Sequence, residues 1–256
     1  GGSFDGTVTF NCGGAATITV TSTKTISADT NIDGGSLITI SGGNSVGVFS
    51  VNTGVNFTVQ NLTIANGDSA GGSGGAIDNR GTLTVTNSTF SGNSARNGGG
   101  GIFNGIGAAR LRNTIVGDSP NGGNCAGSIT DGGHNLDDGT SCGFSAANGS
   151  LNSTAPQLDP AGLANNGGPT PTMALLAGSP AIDAGTNAGC PGGDQRDVSR
   201  PVNGTCDMGA YESGAADPAT ATPTATATPT GTSAPTDGGG GSIGGGPRSL
   251  LTPTPP

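Results

Sequence analysis

Few side chains in this sequence are suited to chemistry, and their spacing is the first constraint on function. Cleaving a sugar polymer needs clustered carboxylates, either as an acid/base pair or holding calcium beside an Arg or Lys base. Between residues 57 and 118 the carboxylates are Asp68, Asp78 and Asp118, with Arg80 and Arg110 as the cations whose distances to them would matter. A second group, Asp131, Asn135, Asp137 and Asp138 around His134, offers oxygen ligands of the kind calcium takes, but without EF-hand spacing. His134 stands among glycines and is expected to make a local hydrogen bond in a turn. Gly71-Gly72-Ser73-Gly74-Gly75 matches G-x-S-x-G, yet a nucleophile elbow requires a strand-to-helix turn and a His base. With 52 glycines in 256 residues that match is nearly free. Ala76 also occupies the position where a calcium-binding nonapeptide carries Asp.

The elements that must carry these groups are set by a repeat. Phe57, Leu83 and Ala109 are 26 residues apart, as are Val59, Val85 and Leu111, then Asn61, Asn87 and Asn113, then Ile64, Phe90 and Val116. A period of 20–50 residues marks units that bury their apolar faces only by stacking. FTVQNLTI at 57–64 and LTVTNSTF at 83–90 alternate apolar and polar residues and are rich in β-branched side chains, which reads as strand with one buried face. Glu and Lys each occur once, so a helical repeat lacks its usual residues. The expected fold is all-β: a right-handed parallel β-helix of about 26 residues per coil, coils stacked at ~4.8 Å.

On that frame Val59, Val85 and Leu111 point inward and their flanking residues outward. Two surface ladders follow, Thr58, Thr84, Arg110 and Gln60, Thr86, Arg112, with both Arg residues on one flat face. They are the candidate ligand-binding residues, facing an acidic polysaccharide or a partner's carboxylates. The Asn61, Asn87, Asn113 ladder is expected to be structural, since Asn tolerates left-handed turns and stacked amides can bond along the axis. Asp78 is expected to lie between Asn52 below and Phe103 or Asn104 above, so no acidic ladder forms. Catalytic residues are therefore assigned to none.

The short motifs then become informative. GGAI at 74–77, GGGI at 99–102 and the F-x-x-N of FSGN at 90–93 resemble the paired repeat motifs of polymorphic outer-membrane-protein-like β-helices. From residue 113 to 212 the chain resembles the choice-of-anchor Q domain, through NGGPTPTMALLAGSPAIDAG (166–185) and DQRDVSRPVNGTCDMGAYE (194–212). The resemblance covers about residues 1–213 and implies a secreted or surface-attached bacterial β-helix with the pectin-lyase-like fold, whose molecular activity is mostly unassigned. Met173 stands where that module has His, which weakens a catalytic reading there.

Composition bounds the remaining choices. A net charge of −9 and a pI near 4.1 argue against nucleic acid or an anionic membrane as the main partner. With Trp absent and aromatics at 3%, a large stacking platform is not available. No run approaches the ~18 apolar residues of a membrane span, and no targeting segment is visible at the start. Cys125 and Cys142 flank one loop and Cys190 and Cys206 another; local pairing is the economical reading and implies an oxidising compartment. Neither pair has C-x-x-C spacing, and with one His a zinc site is not expected. Cys12 is left over.

The organisation expected is therefore coils over 1–134, cut inside an N-terminal cap, then a disulfide-closed closing module over 135–213, and a Pro/Thr/Gly linker over 214–256, extended or disordered. In the module, Ser179-Pro180 fits the start of one helical turn. Asp194, Arg196, Asp197, Arg200, Asp207 and Glu212 are expected to pair and seal the last coil. The functional expectation is a monomeric, non-enzymatic, adhesin-like or surface-structural module that binds glycans and needs no cofactor. It would be carried on a stalk to an anchor outside this sequence. The rival expectation is a polysaccharide lyase or glycoside hydrolase of the same fold.

Overall fold

The computed structural model describes residues 6–8, 16–35, 38–168 and 170–214. The expected N-terminal cap, Cys12 and the linker beyond residue 214 lie outside the described residues. Within them the chain winds as a parallel β-solenoid whose strands fall into three sheets. Sheet A stacks Gly6–Val8, Thr30–Asp33, Asn56–Gln60, Thr82–Thr86, Ala108–Arg112 and Thr130–Asp131. Sheet B stacks Ala16–Thr19, Ile38–Ser41, Thr63–Ala65, Thr89–Ser91, Ile115–Gly117 and Leu136–Asp137. Sheet C stacks Lys24–Ile26, Phe49–Val51, Ile77–Asn79, Ile102–Asn104 and Cys125–Gly127. A short pair, Asp68–Ser69 with Ser94–Ala95, runs between sheets B and C.

The repeat becomes register without loss. Phe57 pairs with Leu83 and Leu83 with Ala109; Val59 pairs with Val85 and Val85 with Leu111. Ile64, Phe90 and Val116 do the same in sheet B. These side chains are buried and form one continuous core, each Val, Leu, Ile and Phe contributing on the order of 1.5–3 kcal/mol by leaving water. In the GGAI and GGGI motifs, Gly74 and Gly99 have φ of 65° and 64°, and a Cβ on either would come within 2.4 Å of the Ile carbonyl oxygen three residues on. Only glycine enters this turn without strain. The Asn that closes each motif points inward: Asn79 Nδ2 donates to Asn104 Oδ1 at 2.8 Å and to Ala108 O at 3.0 Å, while Asn104 Nδ2 donates to Ser128 O at 2.6 Å. Asn93, of the F-x-x-N motif, donates to Ile64 O and accepts from Gly67 N. These buried amides tie each coil to its neighbour, and their bonds offset the cost of burying them.

The coils continue past residue 134, because Leu136–Asp137 still belongs to sheet B. Leu151 bridges to Leu136, and Phe144 and Cys142 pack into the end of the main core. Residues 139–151 thus cover the last coil. The segment expected to seal that coil instead turns back: residues 171–213, the strap, run along the outer face of sheet B. In sheet A the strand Thr82–Thr86 alternates exposed or half-exposed with buried, whereas Thr63–Ala65, Thr89–Ser91 and Ile115–Gly117 are buried at every position. The outward row of sheet B is Thr39, Thr63, Thr89, Ile115 and Leu136 by register.

Gln195 sits over the first two members of that row. Its Nε2 donates to Thr39 Oγ1 at 2.7 Å and to Ile38 O at 2.8 Å, and its Oε1 accepts from Thr63 Oγ1 at 2.6 Å. Thr39 Oγ1 also donates to Pro171 O at 2.7 Å, and Ala210 N donates to Thr89 Oγ1 at 3.0 Å. Gly209, at φ 93°, lies so close that a Cβ would come within 2.8 Å of both Thr89 Oγ1 and Ile115 Cδ1. At the apolar end of the row, Ile115 and Leu136 form a second core with Leu175, Ala181 and Met208.

The returning strap is held by its own charges. Arg196 pairs with Asp194 at 2.9 Å, Arg200 with Glu212 at 2.8 Å, and the Tyr211 ring lies 3.7 Å from Arg196 Cζ. Asp197 is exposed and stands outside this network. Cys190 and Cys206 are joined, as are Cys125 and Cys142. At Ser179-Pro180 the chain makes one turn, Ile182 N donating to Ser179 O at 3.2 Å, and does not extend into a helix. Among the described residues the single helical element is the 3-10 turn Ala146–Asn148.

Candidate functional site

The two expected surface ladders form on sheet A. Thr58, Thr84 and Arg110 are register partners, as are Gln60, Thr86 and Arg112. Thr130 extends the first row beyond Arg110. Arg112, however, is committed: its Nη2 donates to the carbonyl of Ala188 in the strap, which leaves Arg110 as the exposed cation of that face. Gln60 is engaged as well, donating to Asp33 Oδ2 at 2.8 Å. The paired-Arg docking face is thus reduced to Arg110 flanked by Thr58, Thr84, Thr86 and Thr130.

The Asn ladder is real in backbone and partial in side chain. Asn61, Asn87 and Asn113 have φ of 57°, 47° and 47°, the left-handed turn between sheets A and B. Asn113 Nδ2 donates to Asn87 Oδ1 at 3.0 Å, but Asn87 Nδ2 turns to Gly189 O and Asn61 Nδ2 to Asp33 Oδ1. The strap and a preceding carboxylate outcompete the next amide in the stack. His134 is not local in its bonding either, since its Nδ1 lies 2.9 Å from Ala184 O in the strap.

The proposed calcium oxygens are consumed by the protein. Asp131 accepts from Gly133 N, Asn135 Nδ2 and Ser150 Oγ at Oδ1, and from Ser145 N and Asn148 Nδ2 at Oδ2. Burial would raise its pKa, but the amides of Ser145 and Gly133 and the side chains of Asn135 and Ser150 hold it below the ordinary carboxylate value. Asp137 accepts from Gly139 N, Cys142 N and Asn124, and Asp138 from Asp118 N and Asn124. These carboxylates organise turns. Among the described residues no group of three His, Cys, Asp or Glu side chains is placed to hold a metal ion.

The groups named as a test for catalysis do not converge. Arg110 is on the outer face of sheet A, and Asp118, on the loop after sheet B, accepts from Ser91 Oγ. Asp78 and Arg80 are together on sheet C, Arg80 Nη2 lying 3.3 Å from Asp78 Oδ2. Register places Ser50, not Asn52, beneath Asp78 and Phe103 above it, with Ala126 beyond. Asp78 Oδ1 is buried without a hydrogen-bond partner, Arg80 is 59% exposed, and Ile106, in the bend after Ile102–Asn104, is 78% exposed. The half-exposed Phe103 ring lies against Gly105, where a Cβ would come 3.0 Å from Cε1. The outer face of sheet C therefore presents one aromatic ring and an acid–base pair on consecutive coils, with an exposed aliphatic side chain in the bend that follows. The repeat puts Asp78 and Phe103 on adjacent coils, and the period-2 alternation from buried Ile77 and Ile102 is the sequence signal that turns the ring outward.

No family model matches the chain, and neither a curated protein nor a solved structure is found to match it.

Proposed function

We propose that this is an extracellular, non-enzymatic β-solenoid module of the kind its choice-of-anchor Q resemblance implies, serving an adhesin-like role by binding a neutral glycan on the outer face of sheet C. The observation that carries the reading is Phe103 in register with Asp78, which pairs with Arg80. The C–H face of a pyranose packs on an aromatic ring, while a carboxylate oxygen and a guanidinium accept from and donate to its hydroxyls. A neutral ligand leaves the pair's charges balanced, and its hydroxyls meet the exposed Arg80 guanidinium without breaking the pair. Two apolar side chains fall well short of the ~800 Å² that a stable protein partner covers, which favours a small saccharide over a protein. The two disulfides fit an oxidising compartment. Among the described residues no helix is long and apolar enough to cross a membrane.

A glycan array followed by calorimetry on the full chain tests the reading. Phe103→Ala and Asp78→Asn are expected to weaken the best array ligand at least tenfold with the melting temperature unchanged. Retention of full affinity by both variants rejects sheet C as the site, and release of reducing ends from the ligand by the wild type rejects the non-enzymatic assignment.

A further inference from the structure

On the flank between sheets B and C lies a cavity of about 400 Å³ lined by Asp68, Ala70, Ser94, Arg96, Asn121 and Gly122. Its volume is in the range of small-molecule sites. Three polar side chains climb one wall, one per coil: Asp68 pairs in register with Ser94, and Asn121 Nδ2 reaches Ser94 Oγ at 3.3 Å. Arg96 follows Ser94 along the same chain, its backbone N–H donating to Ser69 O.

What sets this wall apart is that its charges are uncommitted. Every other described carboxylate between residues 16 and 138 accepts hydrogen bonds: Asp29 from Asn56, Asp33 from Gln60 and Asn61, Asp78 from Arg80, Asp118 from Ser91, and Asp131, Asp137 and Asp138 as described above. Asp68 has no such partner among the described residues, and neither has the exposed Arg96 guanidinium. They line one cavity without meeting in an ion pair. Opposite charges held apart in a concave polar site favour a ligand whose own charges are apart. A simple anion would gain Arg96 and face Asp68; a simple cation would do the reverse.

We propose that this cavity binds a small zwitterion, its carboxylate on Arg96 and its ammonium on Asp68, with Ser94 and Asn121 bonding the atoms between. Arg presents a planar fork matched to a carboxylate, and a carboxylate is the natural acceptor for an ammonium's three donors. Register places Asp68 and Arg96 on adjacent coils, so the two charges face the cavity from neighbouring turns. The chemistry is shared by a free α-amino acid and by a saccharide residue carrying both groups.

The test is titration of the full chain, followed by amide chemical shifts and calorimetry, with L-alanine and 2-amino-2-deoxyglucuronate as zwitterions, and glucuronate and glucosamine as single-charge controls. At least one zwitterion is expected to bind at least tenfold more tightly than both controls and to shift the amides of Ser94 to Asn97 and Asn121. Arg96→Ala and Asp68→Asn should each lower that affinity at least tenfold while the melting temperature stays within a degree. Alanine as the tighter binder assigns the site to amino acids, and the amino-sugar acid as the tighter binder assigns it to glycans. Glucuronate binding as well as either zwitterion, saturation by none of the four probes, or full affinity in both variants overturns the proposal. Phe103→Ala is expected to leave this binding untouched, which separates its outcome from that of the sheet C site.

Discussion

At the scale of single residues, the strap is where titration matters. Asp207 is pushed up to about 6 by burial, which outweighs the N–H donors of Asp183 and Ser213, while Glu212 raises it further and Arg200 opposes that. A carboxyl that keeps its proton in the folded chain to about pH 6, but loses it near 4 when unfolded, adds stability below pH 4 that disappears as pH rises through 6. The full excursion is roughly 3 kcal/mol. Asp131 works the other way: held below its ordinary value, it adds stability above pH 4 that is lost on further acidification. The melting temperature is therefore expected to be highest near pH 4–5 and to fall toward pH 7.5. Asp207→Asn should flatten that fall, and a wild-type profile rising steadily from pH 4 to 7.5 would contradict the assignment.

At the scale of elements, the fit of strap to sheet B rests on polar matches as much as on area. Thr39 and Thr63 are 0% and 1% exposed, and Gln195 bonds the hydroxyls of both. Because consecutive coils present the two hydroxyls one spacing apart, a single amide reads both and fixes the position of the strap along the stack. Gln195→Ala leaves those buried groups short of partners and is expected to cost roughly 3 kcal/mol. Gly209→Ala should cost about 2 kcal/mol or more through its left-handed φ and its contact with Thr89 and Ile115. Hydrogen exchange would locate the damage: the amides of Met208, Gly209 and Ala210 should lose protection while those of Val59, Val85 and Leu111 keep theirs. Equal loss in both sets would mean that strap and solenoid open as one unit.

At the scale of the whole molecule, two cores divide the stability. The main column runs through all three sheets and ends at Cys125, Cys142 and Phe144; the second core belongs to the strap and to the Ile115–Leu136 end of sheet B. The disulfides divide the same way, with sequence separations of 17 and 16. Each closes a loop worth about 3 kcal/mol in the chain-entropy model. Replacing Cys190 and Cys206 by Ser is expected to loosen the strap first, giving a separate low-temperature transition by calorimetry. Replacing Cys125 and Cys142 should lower the main transition, because both are buried in its core. A single undivided transition in the Cys190/Cys206 variant would show that the strap has no stability of its own.

How much of this was written in the chain differs by level. The coil period, the inward column of Phe57, Val59 and Ile64 with their repeats, the two local disulfides and the outward rows of sheet A were all legible, because a stack turns sequence spacing directly into contact. The buried Asn79–Asn104 pair was present as the last letter of a repeated motif, and the alternation from Ile77 and Ile102 points both amides inward; the partners they bond are set by the stacked coils. What the sequence could not rank was competition between distant groups. Arg112 and Ala188, Asn87 and Gly189, Gln195 and Thr63 are brought together only when the strap folds back over sheet B, an event between segments of unrelated period. The sequence by itself determined a solenoid and its register; which of its polar side chains remain free to meet a ligand was decided by the tertiary path of the strap and loops, since hydrogen-bond capacity spent inside the molecule is no longer available outside it.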